Sequence, residues 1–326
     1  MNLFKLCLLT CVVSSTAQAA PNIGWTPGLG GDISLLTGYT KTSSQFNTDN
    51  DVTTDLNKSG DSESKFIASP LGTISYTSDQ ADKQIYFGTS RSDVALGRFH
   101  VELGYRQRLP EKGMLSISYV PGLMSSSTWE DPLAVNQKRE ETDSKIKGLR
   151  LQYDRILGSN FSIELSGGKL DIEDEKSGQQ QFTPEDQALL KREGNILFSQ
   201  LSYFKPINRD QILRSAISYT RLNADGGAMA NDTYGAELGV IQRLPSSSLA
   251  LTLSYDIAEF DETNPVFDQR QKDNRWGVFL AYEYRKPFGW ENWGLVSLAG
   301  YNESNSNINF YDEDSLLISA GINYKF

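Results

Sequence analysis

The sequence predicts an all-β protein: a single transmembrane, antiparallel up-and-down β-barrel of about 14 strands with long extracellular loops. Three observations predict it. Apolar and polar residues alternate with a period of two along segment after segment. The connections between these segments are alternately short and long. The chain also opens with the features of an export signal.

The opening residues, MNLFKLCLLTCVVSSTAQAA, join Lys5, an apolar run from Leu6 to Val13 and the small-residue pattern Ala17-Gln18-Ala19. That order of charge, short apolar core and A-x-A site reads as a secretory signal peptide over residues 1–20, cleaved after Ala19 or Ala20. The expected route is Sec export, and the expected destination is the Gram-negative cell outer membrane. Residues 21–326 are then one barrel domain. Both cysteines, Cys7 and Cys11, lie in the leader, so the mature chain has no disulfide, thiolate metal site or cysteine nucleophile. Losing Lys5 takes the net charge from −10 to −11. That acidity argues against nucleic acid, which is bound through clustered Lys and Arg. Past the leader no apolar run reaches the ~18 residues of a spanning helix.

The strand alternation is clearest in three places. Leu249, Leu251, Leu253, Tyr255 and Ile257 face away from Ala250, Thr252, Ser254 and Asp256. Phe99, Val101, Leu103 and Tyr105 alternate with Arg98, His100, Glu102, Gly104 and Arg106. Trp276, Val278, Leu280, Tyr282 and Tyr284 oppose Arg275, Gly277, Ala281, Glu283 and Arg285, with Phe279 breaking the pattern. The expected strands are 31–40, 65–77, 84–92, 97–109, 114–125, 144–157, 161–172, 195–206, 211–222, 233–244, 249–260, 274–286, 293–302 and 315–326. An aliphatic residue two before a tyrosine recurs from Ile74–Tyr76 to Ile322–Tyr324, as a girdle at the membrane–water boundary requires.

Short turns follow the even strands, and mostly long loops follow the odd ones: 41–64, 126–143, 173–194, 223–232, 261–273 and 303–314. The link near 93–96 is the short exception. Both chain ends then lie in the periplasm. The last strand alternates from Leu316 to a terminal aromatic, which marks Tyr324 and Phe326 as the signal expected to be read by the barrel assembly machinery. The long loops are acidic, and they read either as solvated loops or as sites for divalent cations bridging lipopolysaccharide; the spacing of a Ca²⁺ loop is absent. Thr183-Pro184-Glu185-Asp186 predicts a short helix beside the mouth.

With the apolar faces toward lipid, the charged faces line a lumen. The candidates for its lining or constriction are Arg98, His100, Glu102, Arg106, Arg150, Asp154, Glu164, Arg214, Glu237, Asp256, Arg275 and Glu283. An Arg or Lys facing lipid at mid-depth costs about 2–4 kcal/mol, which fixes their inward direction. These charges read either as a pore constriction selecting solutes or as a salt-bridged network bracing a closed barrel. Small residues on the same faces, such as Ser116, Ser218 and Gly321, favour a water-filled interior. His100 is the only histidine, and no Gly-x-Ser-x-Gly, Walker or His-Glu-x-x-His motif occurs. The expected function is therefore a passive, porin-like channel for small hydrophilic solutes, without catalytic residues, cofactor or metal. Its expected partners are outer-membrane lipid and lipopolysaccharide. The rivals are a closed structural or surface-interaction barrel and, more remotely, a barrel hydrolase using His100.

Several phrases carry a family likeness: Glu63-Ser64-Lys65-Phe66, Pro70-Leu71-Gly72, Tyr86-Phe87-Gly88-Thr89-Ser90-Arg91, Trp129-Glu130-Asp131-Pro132, Asn264-Pro265-Val266-Phe267, Gly289-Trp290, Leu295–Tyr301, Asn309–Glu313 and Tyr324-Lys325-Phe326. By these the chain resembles an uncharacterised family of outer-membrane β-barrel proteins from Gram-negative marine bacteria, a domain of unknown function. The likeness runs over essentially the whole mature chain. It implies one barrel without a plug or passenger domain and brings no activity or site residues. The phrases at loop bases, Trp129–Pro132 and Asn264–Phe267, read equally well as loop-folding elements.

Overall fold

The computed structural model describes residues 25–123 and 126–326; the expected leader and cleavage site lie outside them. The described chain forms β1 (Gly28–Ser43), β2 (Ser62–Thr77), β3 (Lys83–Gly88), α1 (Arg91–Val94), β4 (Glu102–Leu109), β5 (Gly113–Val120), β6 (Ser126–Trp129), β7 (Glu141–Asp154) and β8 (Phe161–Ile172). After these come α2 (Pro184–Leu189), β9 (Gly194–Pro206), β10 (Gln211–Ala224), β11 (Asn231–Arg243), β12 (Ser247–Asn264), β13 (Gln269–Arg285), β14 (Trp293–Ser306) and β15 (Glu313–Lys325). Each strand is antiparallel to its neighbours, and two pairings close the ring. β1 pairs with β15 from Asp32↔Lys325 to Ser43↔Asp314. β5 pairs with β7 from Met114↔Asp154 to Val120↔Gly148. Phe326 completes the first seam, its N–H donating to the Gly31 carbonyl and its own carbonyl accepting from the Gly31 N–H. Fourteen strands make the wall, as the alternation predicts, and β6 is a four-residue addition on the loop-side end of β7.

Closure of the ring leaves no backbone edge over the lower part of the wall, which is why strands can cross a bilayer at all. The period of two then sorts the side chains. Ile33 and Leu35 are exposed on the outside, whereas Asp32, Ser34 and Leu36 are buried within. The same holds for Leu149 and Leu151 against Arg150 and Gln152. In solution such a continuous apolar exterior would be unstable; against lipid it is the favourable surface. By chain direction, Tyr76, Tyr203, Tyr282 and Tyr324 sit toward the periplasmic rim and Tyr234 toward the outer one, all with exposed rings.

The third and fourth strands depart from expectation. They were predicted as 84–92 and 97–109, with a short link at 93–96, but β3 stops at Gly88 and β4 begins at Glu102. Residues 89–101 leave the wall and fold into the bore, so Arg98 and His100 are lumen residues on an inserted segment rather than on a strand. Alternation of Arg98 and His100 with Phe99 and Val101 does not require a strand. It records two unlike surroundings, and an inserted segment between a charged and an apolar wall has both. Gly88 (φ +134°) makes the exit, a backbone conformation open chiefly to glycine. The fifth strand, predicted to 125, ends at Val120.

Candidate functional site: a barred bore beneath a loop lid

The inner segment spans the lumen because its charges find partners on four strands of the wall. Arg91 Nη2 lies 2.6 Å from Glu283 Oε1 on β13, and Arg91 Nε lies 3.8 Å from Asp32 Oδ2 on β1. Across the bore, Asp93 Oδ2 is 3.1 Å from Arg150 Nη1 on β7. Arg98 pairs with Glu237 on β11, which also holds Arg214 Nη1 at 2.5 Å. Phe99 and Val94 rest on an apolar patch inside the barrel, made by Leu36, Leu71, Phe279 and Leu298. Phe279, the residue that broke the alternation of its strand, thus points inward for a reason. A side chain on Gly97 (φ +79°) would lie 2.8 Å from its ring, so the segment's backbone seats directly on it.

Arg150 is the hub. Its Nε donates to Glu164 Oε1 at 2.9 Å, its Nη2 to Glu164 Oε2 at 3.2 Å, and its Nη1 to Glu102 Oε2 at 3.1 Å as well as to Asp93. Ser118 Oγ donates to the same Glu102 oxygen at 2.6 Å, and Gln152 donates to Glu164. Arg106 lies 3.9 Å from Glu102 and stacks 3.7 Å over the buried ring of Tyr86. A planar, five-donor guanidinium is the group suited to bridge three carboxylates.

Eight of the twelve sequence-predicted lumen residues meet in this girdle: Arg98, His100, Glu102, Arg106, Arg150, Glu164, Arg214 and Glu237. The other four line the bore elsewhere. Asp256 and Arg275 face one another across β12 and β13, Arg275 also donating to Asp273 at 2.7 Å. Glu283 binds Arg91 and Lys325, and Asp154 is buried near the periplasmic end of β7. The alternation missed Arg91, which lay at the end of the expected strand 84–92, and Asp93, which lay in the expected short link 93–96. It also missed Tyr86, an inward aromatic with nothing in its sequence to set it apart from the lipid-facing ones.

Asp93, His100 and Glu102 offer donor atoms within 4.8 Å of one another, the nearest approach to a metal-ligand set among the described residues. Arg150 already stands against both carboxylates, and its fixed charge opposes a cation in the same place. His100 Nε2 lies 3.7 Å from Asp93 and 3.8 Å from Glu102, and neither ring nitrogen has a hydrogen-bond partner. Among the described residues no hydroxyl is hydrogen-bonded to the ring.

Above the inner segment lies a cavity of about 360 Å³. Its wall mixes Ser166, Ser218, Thr220, Thr252, Asp256 and Arg275 with Leu96, Phe99, Ile146, Ile196, Phe198 and Phe279. Over the cavity the loops pack on one another around Phe46, Leu133, Leu190, Met229, Ile308 and Phe310. The predicted short helix is present as α2, capped by Thr183 Oγ1 accepting from the Asp186 N–H, and it joins this lid through Leu189 and Leu190. Trp129 is fully buried in the lid beneath the Arg139 guanidinium, 4.5 Å from its ring. Burial holds Arg139 down at about 10, against the pull of Asp51 and Asp131. Asn264 accepts from the Val266 N–H and donates to Tyr311 Oη, so both family-like loop phrases are folding elements of the lid.

A family model described as "Protein of unknown function (DUF2860)" matches residues 28–325, the whole wall and its loops. The chain belongs to the DUF2860 family. No curated protein matches this DUF2860 chain. Among solved structures it is similar to the outer-membrane channel DcaP of Acinetobacter baumannii, at 11% identity, covering 92% of this chain and 98% of that one, with a TM-score of 0.43. It is similar also to an OmpT outer-membrane protein of Vibrio cholerae, at 9% identity, with 93% and 99% covered and a TM-score of 0.43. A third is a deletion mutant of the monoaromatic hydrocarbon channel TodX, at 11% identity, with 92% and 90% covered and a TM-score of 0.49. The DUF2860 chain is an outer-membrane β-barrel, on the evidence of its own closed ring and lipid-facing band.

Proposed function

We propose that this barrel is a passive channel for small solutes, closed at rest by its inner segment, and not an enzyme. The observation that carries the reading is the segment 89–101 itself, held across the bore by ion pairs to β1, β7, β11 and β13. A barrel needing only rigidity would gain as much from wall-to-wall pairs. A segment that enters and leaves the bore between two strands can instead move without breaking the wall. The cavity above it is of the size that holds a small molecule, and its charged and hydroxyl groups supply the polar contacts that orient one.

The test is conductance in planar bilayers. Wild-type protein is expected to be nearly silent. A variant with residues 90–100 replaced by a short Gly-Ser link is expected to show discrete, long-lived steps. If the excised variant is as silent as wild type, the channel reading fails and the closed structural barrel takes its place.

The assembly role of the last strand belongs to the same proposal. Phe326 exchanges two backbone hydrogen bonds with Gly31 at the closing seam. Deleting it is expected to reduce the heat-modifiable, folded fraction in cells several-fold while refolding in detergent is less affected. Equal losses in both would assign Phe326 to the seam alone, with no recognition by assembly machinery.

A further inference from the structure

The wall of this barrel is incomplete over part of its height. β2 is paired with β1 along its whole length, from Gly28↔Thr77 to Ser43↔Ser62. On its other edge it meets β3 only from Thr73 to Thr77, and one further bond, from the Thr89 N–H to the Gly72 carbonyl, ends the contact. Above that point no strand pairs with this edge among the described residues, from Ser62 to Leu71. Two strands, β3 and β4, stop at mid-height, and the chain between them turns into the lumen. β5 ends at Val120 and β6 takes up the same edge of β7 from Ser126, so from β2 to the line of β5 and β6 the space is three strand intervals across, about 14 Å. Loop contacts bridge it at the top, where the Trp129 Nε1 donates to the Gln45 carbonyl at 3.1 Å.

This opening lies at membrane depth. Phe66 on β2, 87% exposed, packs against lipid-facing Tyr39, and the unpaired edge runs from there toward the periplasm. An open sheet edge in hydrocarbon leaves backbone groups without partners, at several kcal/mol each, and is tolerated only where it borders a cavity. The sequence confirms that the edge is built to be open. The Gly72 carbonyl points to the β3 side, so two residues earlier Pro70 does too. Proline has no N–H to leave unpaired, and it is confined to edges for that reason. The family-like phrase Pro70-Leu71-Gly72 marks the place where the wall parts.

The cavity reaches the β5 side of this opening, where Val120, Gly122 and Leu123 line it, and Leu123 is 66% exposed. Inside, Leu96, Phe99 and Val101 of the inner segment present an apolar floor to the same space. An aqueous conduit has no use for apolar groups there, whereas a molecule with an apolar body does. The loop lid, meanwhile, covers the cavity from above with a packed apolar core.

We propose that the opening between β2 and β5–β6 is a lateral portal. Through it the cavity exchanges small amphipathic molecules, apolar in body with one polar group, with the outer leaflet. This deepens the channel reading, naming the solute class and its entrance, and rests on it.

The mature chain has no native cysteine, which allows a direct test. Ser218→Cys places one thiol on the cavity wall, to be alkylated in phosphatidylcholine vesicles by N-phenylmaleimide, which partitions into lipid, or by a cationic methanethiosulfonate, which does not. The expected result is fast modification by the apolar reagent and slow modification by the cation. Adding Leu123→Trp at the exposed rim, alone or with Ile67→Trp, is expected to slow the apolar reagent about tenfold and leave the cationic rate unchanged. Because Leu123 is exposed, the single variant folds even if the double does not. Apolar modification that ignores the rim substitutions, or a cation that reacts as fast, overturns the portal. Neither result touches the conductance of the excised variant, so the channel reading stands or falls separately.

Discussion

Replacing Arg150 with Met is expected to free the inner segment and open the bore. The guanidinium is the common partner of Asp93, Glu102 and Glu164, all buried. Without it three carboxylates are left in one enclosed place, with the Arg106 guanidinium 3.9 Å and the His100 ring 3.8 Å from Glu102 as the nearest basic groups. Breaking a buried ion pair by removing one partner costs about 3–5 kcal/mol, because the remaining charge has lost its water and its counter-charge together. The wall can absorb little of this, since β7 is locked between β5 and β8. The segment can move, because past Thr89, whose N–H and carbonyl bond Gly72 and Thr73, the bonds that hold it to the wall are those of its side chains. Trypsin is therefore expected to cut after Arg91 or Arg98 in Arg150→Met and not in wild type, and bilayer recordings are expected to show steps resembling those of the excised variant. Arg150→Lys retains the charge but not the fork, and an intermediate result is expected. A fully protected, silent Arg150→Met would show that the apolar seat on Phe279 and Leu36 holds the segment without the ion network.

Trp129→Ala is expected to loosen the outer lid without disturbing the barrel. The indole is completely buried; its Nε1 bonds the Gln45 carbonyl, and the Arg139 guanidinium covers its face. Arg192, itself buried, donates to the Trp129 carbonyl at 2.6 Å and to Glu175 at 2.8 Å, which ties three loops together at this residue. Truncating a buried tryptophan to alanine costs about 3–5 kcal/mol. Arg139, which also donates to the carbonyls of Gln45 and Asn50, loses the ring it lies against. Proteinase K added to vesicles is expected to cleave the loops at residues 44–61 and 130–140 in the variant while the strand core stays heat-modifiable. Loops that resist as in wild type would place the stability of the lid in the Phe46 and Phe310 cluster instead.

Much of this architecture is written locally. Period-two alternation is a property of neighbouring residues, so a stripe such as Leu249–Leu251–Leu253–Tyr255 declares its strand without reference to the rest of the chain. Loop lengths are likewise local, and each of the fourteen wall strands overlaps the segment that alternation and turns gave it, with β3, β4 and β5 cut short, β7 displaced by three residues and β12, β13 and β14 running further into the loops. Inward direction was legible for the charged residues because lipid penalises the alternative. Which charge meets which was not legible. Arg150 and Asp93 are 57 residues apart in sequence, and Arg98 and Glu237 are 139 apart. Nothing near either residue encodes the meeting.

The inner segment shows the limit most clearly. Residues 97–101 alternate as well as any strand, and a two-sided environment is all that alternation reports. Whether the two sides are lipid and water, or an apolar seat and a charged wall, depends on neighbours supplied by β1, β7, β11 and β13. Phe279 and Pro70 carried the clue as single exceptions to a pattern, and an exception acquires meaning only when its partner is seen. The amino-acid order by itself determined that strands form, where they turn and which faces meet lipid, because those are contests between a side chain and its solvent. The tertiary structure alone decided that two strands stop short, that the chain between them bars the bore, and that the wall parts beside them. Those outcomes depend on which distant residues the closing of the ring brings within reach.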